Sequence, residues 1–260
     1  MKFAVNYSTP LKNLIKTGQV QVDLLKCPEW DGLVSPALEI GSAYVHFEIA
    51  LGNDNVQRLN YDLIKHMFDL TDTIYLNTHL SNLPGGRQTE PDSAASLLER
   101  WEKDLEFLRC ELPDRPVIAE NLPWHRTMLE LEIACNPDLI SKFLLRNDVE
   151  LLLDLSHAQI SADRLGINYQ DYVNKLPLDR LRELHITGIR TYAGYLCDHF
   201  ELQEHDWQVA EWAANQIRLG TWRKPEIVAF EYGGVGDVFC WRTDPQALQE
   251  QVPLLSQIFS

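Results

Sequence analysis

Short apolar runs alternate with longer amphipathic segments along the whole chain. The runs are mostly four to six residues long, are rich in β-branched or aromatic side chains and are bounded by polar residues, which is typical of buried strands. They predict eight strands, at residues 2–6, 20–24, 43–48, 73–79, 117–121, 150–155, 182–187 and 227–232.

The segments between these runs predict helices, at residues 10–15, 31–39, 60–69, 91–112, 137–146, 169–176, 206–219 and 245–258. Several of them begin with proline, which suits the first helical turn. Strict alternation of strands and helices predicts an α/β fold, a (β/α)8 TIM barrel. No linker or low-complexity stretch divides the chain, so we expect a single domain over residues 1–260.

Composition narrows the class of protein further. With 260 residues, of which 45% are hydrophobic, the chain can bury a large core. Its first eight residues read as a strand rather than a signal peptide, and no apolar run reaches the roughly 20 residues that a membrane helix needs. Five scattered cysteines without a Cys-x-x-Cys pair argue against a disulfide framework and a zinc ribbon. We therefore expect a cytoplasmic protein without a membrane segment.

The formal net charge is −15, with 38 acidic against 23 basic residues. Such a surface repels phosphate backbones, so nucleic acid is not the expected partner. It does suit divalent cations.

Side chains that can ligate metals stand at or shortly after the ends of successive predicted strands. They are His46, His79, Glu120, Asp154, His157, His185, Asp198, His199 and Glu231. The carboxyl ends of all strands of a barrel open onto one face, so groups far apart in the sequence meet there. His46 is the exception, because two further residues of its predicted strand follow it.

Glu120, Asp154, His185 and Glu231 come from four different strands. Three carboxylates and one imidazole suit Mn²⁺, Zn²⁺, Fe²⁺ or Co²⁺. Each acid taken singly could instead pair with Arg or Lys of a neighbouring loop, but crowded carboxylates repel one another and a cation resolves the repulsion. The remaining five candidates could complete a second or third metal position, which predicts one to three divalent ions.

This set resembles that of the xylose isomerase-like TIM-barrel superfamily, which includes ketose 3-epimerases, type IV apurinic endonucleases and multinuclear non-haem iron-dependent oxidative enzymes. The resemblance implies that the four-residue set holds one divalent metal, with Fe, Zn or Mn as the candidates. It also implies that Glu120 and Glu231 are catalytic and move the proton in epimerase chemistry. In the endonucleases two earlier histidines and an Asp-x-x-His segment add further metals, and His46, His79 and Asp154-Leu-Ser-His157 match them.

The closest similarity is to the iron-dependent oxidative enzymes. It is carried by Leu151-Leu-Leu-Asp-Leu-Ser-His157, Leu176-Pro177 and Arg182-Glu-Leu-His-Ile-Thr-Gly188. The iron enzymes usually have Asn where this chain has His157. Asp198 and His199 are adjacent where the family pattern separates an Asp and a His by one residue, which leaves open which of the two is a ligand.

Weaker signals indicate where a substrate would bind. Asn121, Trp124 and His125 follow Glu120 closely and could contact it, and Arg190 is a candidate anion clamp, as is Arg87. Gly233 and Gly234 follow the last strand, where barrels often bind phosphate through backbone N–H groups, although a tight turn is the simpler interpretation.

Together these observations favour a metal-dependent enzyme that acts on a small polar substrate, most conventionally a sugar isomerase or epimerase. The alternative is an iron-dependent oxidative enzyme that modifies a peptide or small molecule. An apurinic endonuclease-like hydrolase is third, and a barrel that binds metal or ligand without turnover stays open. The oligomeric state and the need for a separate partner are not given by the sequence.

Overall fold

The computed structural model describes residues 1–83, 93–125, 128–236 and 242–260. Within these residues, nine strands form one curled sheet in which every neighbouring pair is parallel. These strands are β1 (Lys2–Asn6), β2 (Leu24–Cys27), β3 (Ala43–Val45), β4 (Ala50–Leu51), β5 (Leu76–Leu80), β6 (Val117–Glu120), β7 (Glu150–Asp154), β8 (Leu181–Ile186) and β11 (Ile227–Phe230). Their order in the sheet is β3-β2-β1-β11-β8-β7-β6-β5-β4.

Helices connect the strands and pack against the sheet. They are α1 (Thr9–Lys16), α2 (Asp31–Leu38), α3 (Tyr61–Leu70), α4 (Ala94–Glu111), α5 (Pro137–Arg146), α6 (Leu155–Leu165), α7 (Tyr169–Val173), α8 (Glu204–Arg218) and α9 (Pro245–Ile258). The predicted fold class is therefore confirmed as a single-domain α/β TIM barrel. None of the described helices is long and apolar enough to cross a membrane.

The third strand of the barrel is interrupted, so that β3 and β4 stand at the two ends of the strand order. The amide of Asn77 bonds both the backbone N–H and the backbone C=O of Phe47, which takes this residue out of the regular ladder. The stretch still closes the barrel, since His46 N–H donates to Cys27 on one side and His79 N–H donates to Ile49 on the other. The prediction of a continuous strand over 43–48 was therefore wrong, and His46 lies directly after the end of β3.

Two other differences from the predicted elements have local causes. The second strand begins at Leu24 rather than at residue 20, and the Asp23 carboxylate accepts a hydrogen bond from the N–H of Phe3 just before it. Helix α6 was not predicted, because it starts at Leu155 without any intervening loop. Asp154 ends β7 and also caps α6 by accepting the N–H of His157 at 2.8 Å.

A hairpin of β9 (Gly188–Tyr192) and β10 (Tyr195–Phe200) is inserted after β8 and was also not predicted. Its register shifts between Cys197 and Phe200, so Asp198 and His199 together oppose one residue of β9. His199 has a positive φ of 63° at this bulge.

The interior of the barrel is layered. A small apolar group fills it and comprises Ala4, Leu24, Tyr44, Ile227 and Ala229. Because side chains alternate along a strand, the residue two positions after each of these points inward as well, one layer nearer the carboxyl ends. Four of these positions are occupied by the polar residues Asn6, Lys26, His46 and Glu231, and the position two residues after Ile227 is Ala229 of the apolar group itself.

Candidate metal centre

The predicted ligands lie together at the carboxyl end of the barrel, where we describe them as three adjacent clusters, two of which share Asp154. The histidine cluster is His46, His79 and Glu120; the inner cluster is Asp154, His185 and Glu231; the hairpin cluster is His157, Asp154 and Asp198. In the first two clusters one potential ligand atom from each residue lies within 4.8 Å of the others.

The histidine cluster is built around one carboxylate oxygen. Oε2 of Glu120 lies 3.4 Å from Nε2 of His46 and 3.3 Å from Nε2 of His79. The two imidazole Nε2 atoms are 3.2 Å apart. The other ring nitrogen of His79 faces the carbonyl of Ile49 at 3.2 Å, which leaves Nε2 directed at the cluster.

The hairpin cluster brings α6 and the inserted hairpin together. Nδ1 of His157 faces the carbonyl of Asn121 at 2.8 Å. Nε2 of the same ring lies 3.0 Å from Oδ2 of Asp198 and 3.6 Å from Oδ2 of Asp154. The bulge in β10 explains how the adjacent residues Asp198 and His199 both reach the barrel mouth, since in a regular strand they would point to opposite faces.

The inner cluster is the most deeply buried. Nδ1 of His185 lies 3.3 Å from Oε1 of Glu231 and 4.0 Å from Oδ2 of Asp154. The His185 and Asp154 side chains have no exposed surface. Glu120 joins this cluster to the others, because its Oε1 lies 3.8 Å from His185 Nδ1 and 3.2 Å from His157 Nδ1.

Three of these converging atoms have no hydrogen-bond partner among the described residues. They are Oε2 of Glu120, Oδ2 of Asp154 and Nδ1 of His185, all of them fully buried. A buried acceptor without a donor costs free energy, so such atoms call for an explanation in a native structure. Carboxylate oxygens and imidazole nitrogens roughly 3–4 Å apart are the donor set and spacing that a shared divalent ion requires. The residues therefore fit a metal centre.

Buried acids and imidazoles lie side by side in the three clusters and shift one another's pKa values. Burial raises the pKa of Glu120, but His79 and His157 outweigh it and hold this pKa well below its usual range. Burial raises the pKa of Asp154 to about 7. Burial lowers the pKa of His185, yet Glu231 raises it more strongly, to about 10. Without a cation, neighbouring imidazoles thus favour the ionised form of Glu120, whereas burial disfavours the ionised form of Asp154.

Three buried residues of the site were not predicted. Lys26 of β2 contacts Oε1 of Glu231, so one of the acids does have the basic partner that the simpler interpretation required. Glu183 accepts hydrogen bonds from Nε2 of His185 at 2.8 Å and from the Tyr44 hydroxyl at 2.7 Å. Glu183 precedes His185 by two positions, and this period-2 spacing on one face of the strand was the available signal.

Two of the weaker substrate candidates have other roles in the structure. Asn121 is fully buried, and its amide bonds both the N–H and the C=O of Asp154 at 3.0 Å, so it positions Asp154 instead of facing the cavity. Arg190 donates to Asp206 at 2.9 Å and to the backbone of Glu201, which braces the hairpin against α8, and a role as an anion clamp stays a prediction. Arg87 lies outside the described residues.

The glycines after β11 form a tight turn. The N–H of Gly233 donates to the carbonyl of His199 at 3.0 Å, and the N–H of Gly234 donates to the Thr243 hydroxyl at 3.0 Å. These two backbone donors are thus paired within the chain, as the tight turn that was the simpler interpretation requires. Substrate binding by Gly233 and Gly234 stays a prediction.

A cavity of about 410 Å³ opens over the clusters. Lys26, His46, His79, Glu120, His157, His199 and Glu231 line it together with Asn6, Cys27, Ser81 and others. Trp124 and His125 do not line this cavity; they face a second one of about 270 Å³ beside the hairpin.

Comparison with known proteins identifies relatives of this chain. A family model described as RiPP precursor modification enzyme MbnB/TglH/ChrH matches residues 102–221, from within α4 to just beyond α8. A UPF0276 protein of Acaryochloris marina is 23% identical over 208 residues, which cover 75% of this chain and 68% of that protein.

Solved structures share the fold over nearly the whole chain. A D-psicose 3-epimerase superposes with a TM-score of 0.61 at 12% identity, covering 99% of this chain and 97% of the other. The 3-keto-D-glucoside 4-epimerase YcjR of E. coli gives 0.62 at 15% identity, and endonuclease IV of Thermus thermophilus gives 0.56 at 12%, each covering 99% of both chains. The resemblance predicted from the sequence is confirmed: this chain is similar to the RiPP precursor modification enzymes, and it has the same barrel fold as the two epimerases and endonuclease IV.

Proposed function

We propose that this protein is a multinuclear iron enzyme that oxidatively modifies a peptide. The observation that carries the proposal is the sharing of two carboxylates: Glu120 belongs to the histidine cluster and approaches the inner cluster, while Asp154 belongs to the inner and hairpin clusters. Shared carboxylates are how proteins hold two or more ions close together. The similarity to enzymes that modify peptide precursors supports the choice of substrate class.

The ligands proposed for the ions are the three clusters already defined, with His199 at their edge. Iron bound in such a centre supplies activation of O₂. Nine ligand side chains exceed what one ion needs, and this excess favours a multinuclear centre over the single-metal site of an epimerase.

The chain itself prepares the donors of this centre. Backbone carbonyls of Ile49 and Asn121 accept the Nδ1 protons of His79 and His157, so each of these rings directs Nε2 into its cluster. Asn121 holds the backbone of Asp154, which also fixes the start of α6. Ligands that are held in place before an ion arrives lose less entropy when it binds.

Epimerase chemistry through Glu120 and Glu231 is the second candidate, and two contacts disfavour it. A general base needs a pKa near the working pH. Lys26 and His185 hold the pKa of Glu231 well below its usual range despite its burial, and the imidazoles around Glu120 do the same there. Both groups are therefore better suited to bind cations than to abstract a proton.

Endonuclease activity on abasic DNA is the third candidate. The net charge of −15 works against it, because DNA binding draws its affinity from positive side chains that neutralise phosphates. Nicking of an abasic duplex at low salt by the metal-loaded protein would revive this candidate.

Metal content is the first test. We expect protein purified without chelator or nickel affinity to contain two or three equivalents of iron per chain, measured by elemental analysis and visible absorption. His79→Asn should lose about one equivalent, because it removes one of the two imidazoles on Oε2 of Glu120. His66→Asn, on the exposed face of α3, is the matched control and should retain the full content.

Turnover separates the candidates. Iron-loaded protein should consume O₂ in the presence of a substrate peptide and change the mass of that peptide, and His79→Asn should not. Solvent deuterium incorporated into a ketose without O₂ consumption would instead support the epimerase. A wild-type protein that retains at most one ion under anaerobic reconstitution would contradict the multinuclear proposal.

A further inference from the structure

Three imidazoles of the site are oriented by two different kinds of group. His79 and His157 each face a neutral backbone carbonyl with Nδ1. His185 faces the carboxylate of Glu183 with Nε2, at 2.8 Å. Among the described residues, His185 is thus the ring of the site whose outward nitrogen bonds an acid.

Glu183 is held where it is by the interior of the barrel. It lies in register with Ile227 in the apolar layer below the ligands, and its side chain is only 4% exposed. The Tyr44 hydroxyl, from the opposite part of the strand order, donates to the same oxygen at 2.7 Å. Two donors on one buried oxygen leave this carboxylate little freedom to turn away.

This arrangement decides which nitrogen of His185 faces the centre. A carboxylate can only accept, so the proton of the neutral ring stays on Nε2. In the neutral ring, the form that binds a metal ion, the lone pair is therefore on Nδ1, the atom that lies 3.3 Å from Glu231 Oε1 and has no hydrogen-bond partner among the described residues. A negative partner also makes the ring a stronger electron donor than a carbonyl does.

We propose that Glu183, held by Tyr44, is a positioning residue that fixes the tautomer of His185 and strengthens the hold of the inner cluster on its ion. The proposal rests on the proposed function, since it concerns a metal centre. It goes beyond that function by assigning roles to Glu183 and Tyr44, which are not in the proposed ligand set, and by making one metal position depend on a buried acid behind its histidine.

The first test needs no metal. The Nε2–H of His185 should give a strongly downfield proton resonance in ¹H–¹⁵N NMR spectra of the metal-free protein, because it is buried and bonded to a carboxylate. The resonance should persist in Tyr44→Phe and vanish in Glu183→Leu. A wild-type spectrum without this resonance, or its persistence in Glu183→Leu, would overturn the proposal even if the protein binds no metal at all.

The second test measures affinity with cobalt(II) as the probe, by competition with a chromophoric chelator. Removing an outer partner of a metal-bound histidine typically weakens binding by about 10–100-fold. We expect Glu183→Gln to weaken one ion by this factor, with a changed cobalt absorption spectrum, and to leave the other ions at wild-type affinity. Glu183→Gln keeps the size of the side chain and removes only the charge, so it serves if Glu183→Leu does not fold.

The control variant is Glu226→Gln. Glu226 also accepts a tyrosine hydroxyl at 2.7 Å, from Tyr75, but it lies at the other end of the barrel beside Arg182. The Glu226→Gln variant should therefore bind every cobalt ion with wild-type affinity. Equal affinities in Glu183→Gln and Glu226→Gln would overturn the role of Glu183, whereas failure of the wild-type protein to bind cobalt would count against the proposed function.

Discussion

The ammonium group of Lys26 contacts Oε1 of Glu231, and both side chains are more than nine-tenths buried. The same oxygen faces Nδ1 of His185 at 3.3 Å. Lys26 therefore supplies a permanent positive charge to the acid of the inner cluster, whether or not an ion is bound there.

Replacing this lysine should expose how the site is stabilised. Lys26→Met leaves Glu231 as a buried acid without its cation, and breaking a buried ion pair by removing one partner costs about 3–5 kcal/mol. We expect this loss in the metal-free protein, measured by urea unfolding. The loss should be smaller in the metal-loaded protein, because the ion compensates Glu231. Lys65→Met, on the exposed surface of α3, should change neither value. An equal loss in both forms would show that no cation reaches Glu231.

The pH dependence of metal binding should oppose that of metal-free stability. The pKa of Asp154 is raised from 3.8 to about 7, and that of His185 from 6.5 to about 10. Groups with raised pKa values stabilise the folded chain while protonated, so their contribution is lost as the pH rises through 7 and toward 10. Bound metal needs both groups deprotonated, so its affinity should increase over the same range. Calorimetric titrations in buffers of different ionisation enthalpy should show protons released on binding; none released would contradict both assignments.

Asp198 and His199 should contribute unequally. The Asp198 side chain is 16% exposed, and its Oδ2 lies 3.0 Å from Nε2 of His157. The His199 side chain is 34% exposed, and its Nε2 lies 4.0 Å from Oδ1 of Asp198. We expect Asp198→Asn to lose about one equivalent of metal and His199→Asn to lose less. Elemental analysis of the two variants decides which of these residues is a metal ligand, a question that the sequence left open. A greater loss of metal in His199→Asn would assign that role to His199 instead.

The turn after β11 gives a stability prediction. Gly233 has φ of +75°, and a Cβ there would overlap the hydroxyl of Thr243, which the N–H of Gly234 needs as its acceptor. Gly18 has a similar φ of +72° with open space around it. Gly18→Ala should cost about 1–2 kcal/mol, the strain of a left-handed backbone. Gly233→Ala should cost about 1 kcal/mol more, since it also disrupts a hydrogen bond. Equal losses in thermal unfolding would mean that Thr243 adapts freely.

Much of the centre could be predicted because strand ends are visible in the sequence. Glu120, Asp154 and Glu231 each terminate an apolar run, and a barrel topology is enough to bring such residues together. His46 was the uncertain member, and its place depended on Asn77, whose bonds to Phe47 end β3 early. A side-chain contact between residues 30 positions apart cannot be inferred from local periodicity.

The buried charges behind the ligands were missed for a related reason. A lysine or glutamate in an apolar run reads as the end of a strand or as its solvent-facing side. Lys26 and Glu183 are inside the barrel only because Glu231, His185 and Tyr44 compensate them there. Likewise, the hairpin of β9 and β10 lacks a continuous apolar face, so its segment carried no strand pattern.

The two oxygens of Asp154 serve different parts of the molecule. Oδ1 accepts a hydrogen bond from the N–H of His157 in the first turn of α6, while Oδ2 faces the imidazoles of His157 and His185. A carboxylate is rigid, so neither oxygen can shift without carrying the other. A shift of Oδ2 toward a cation would therefore also displace Oδ1, the atom that caps α6, so the cap of this helix and the metal centre depend on the same side chain.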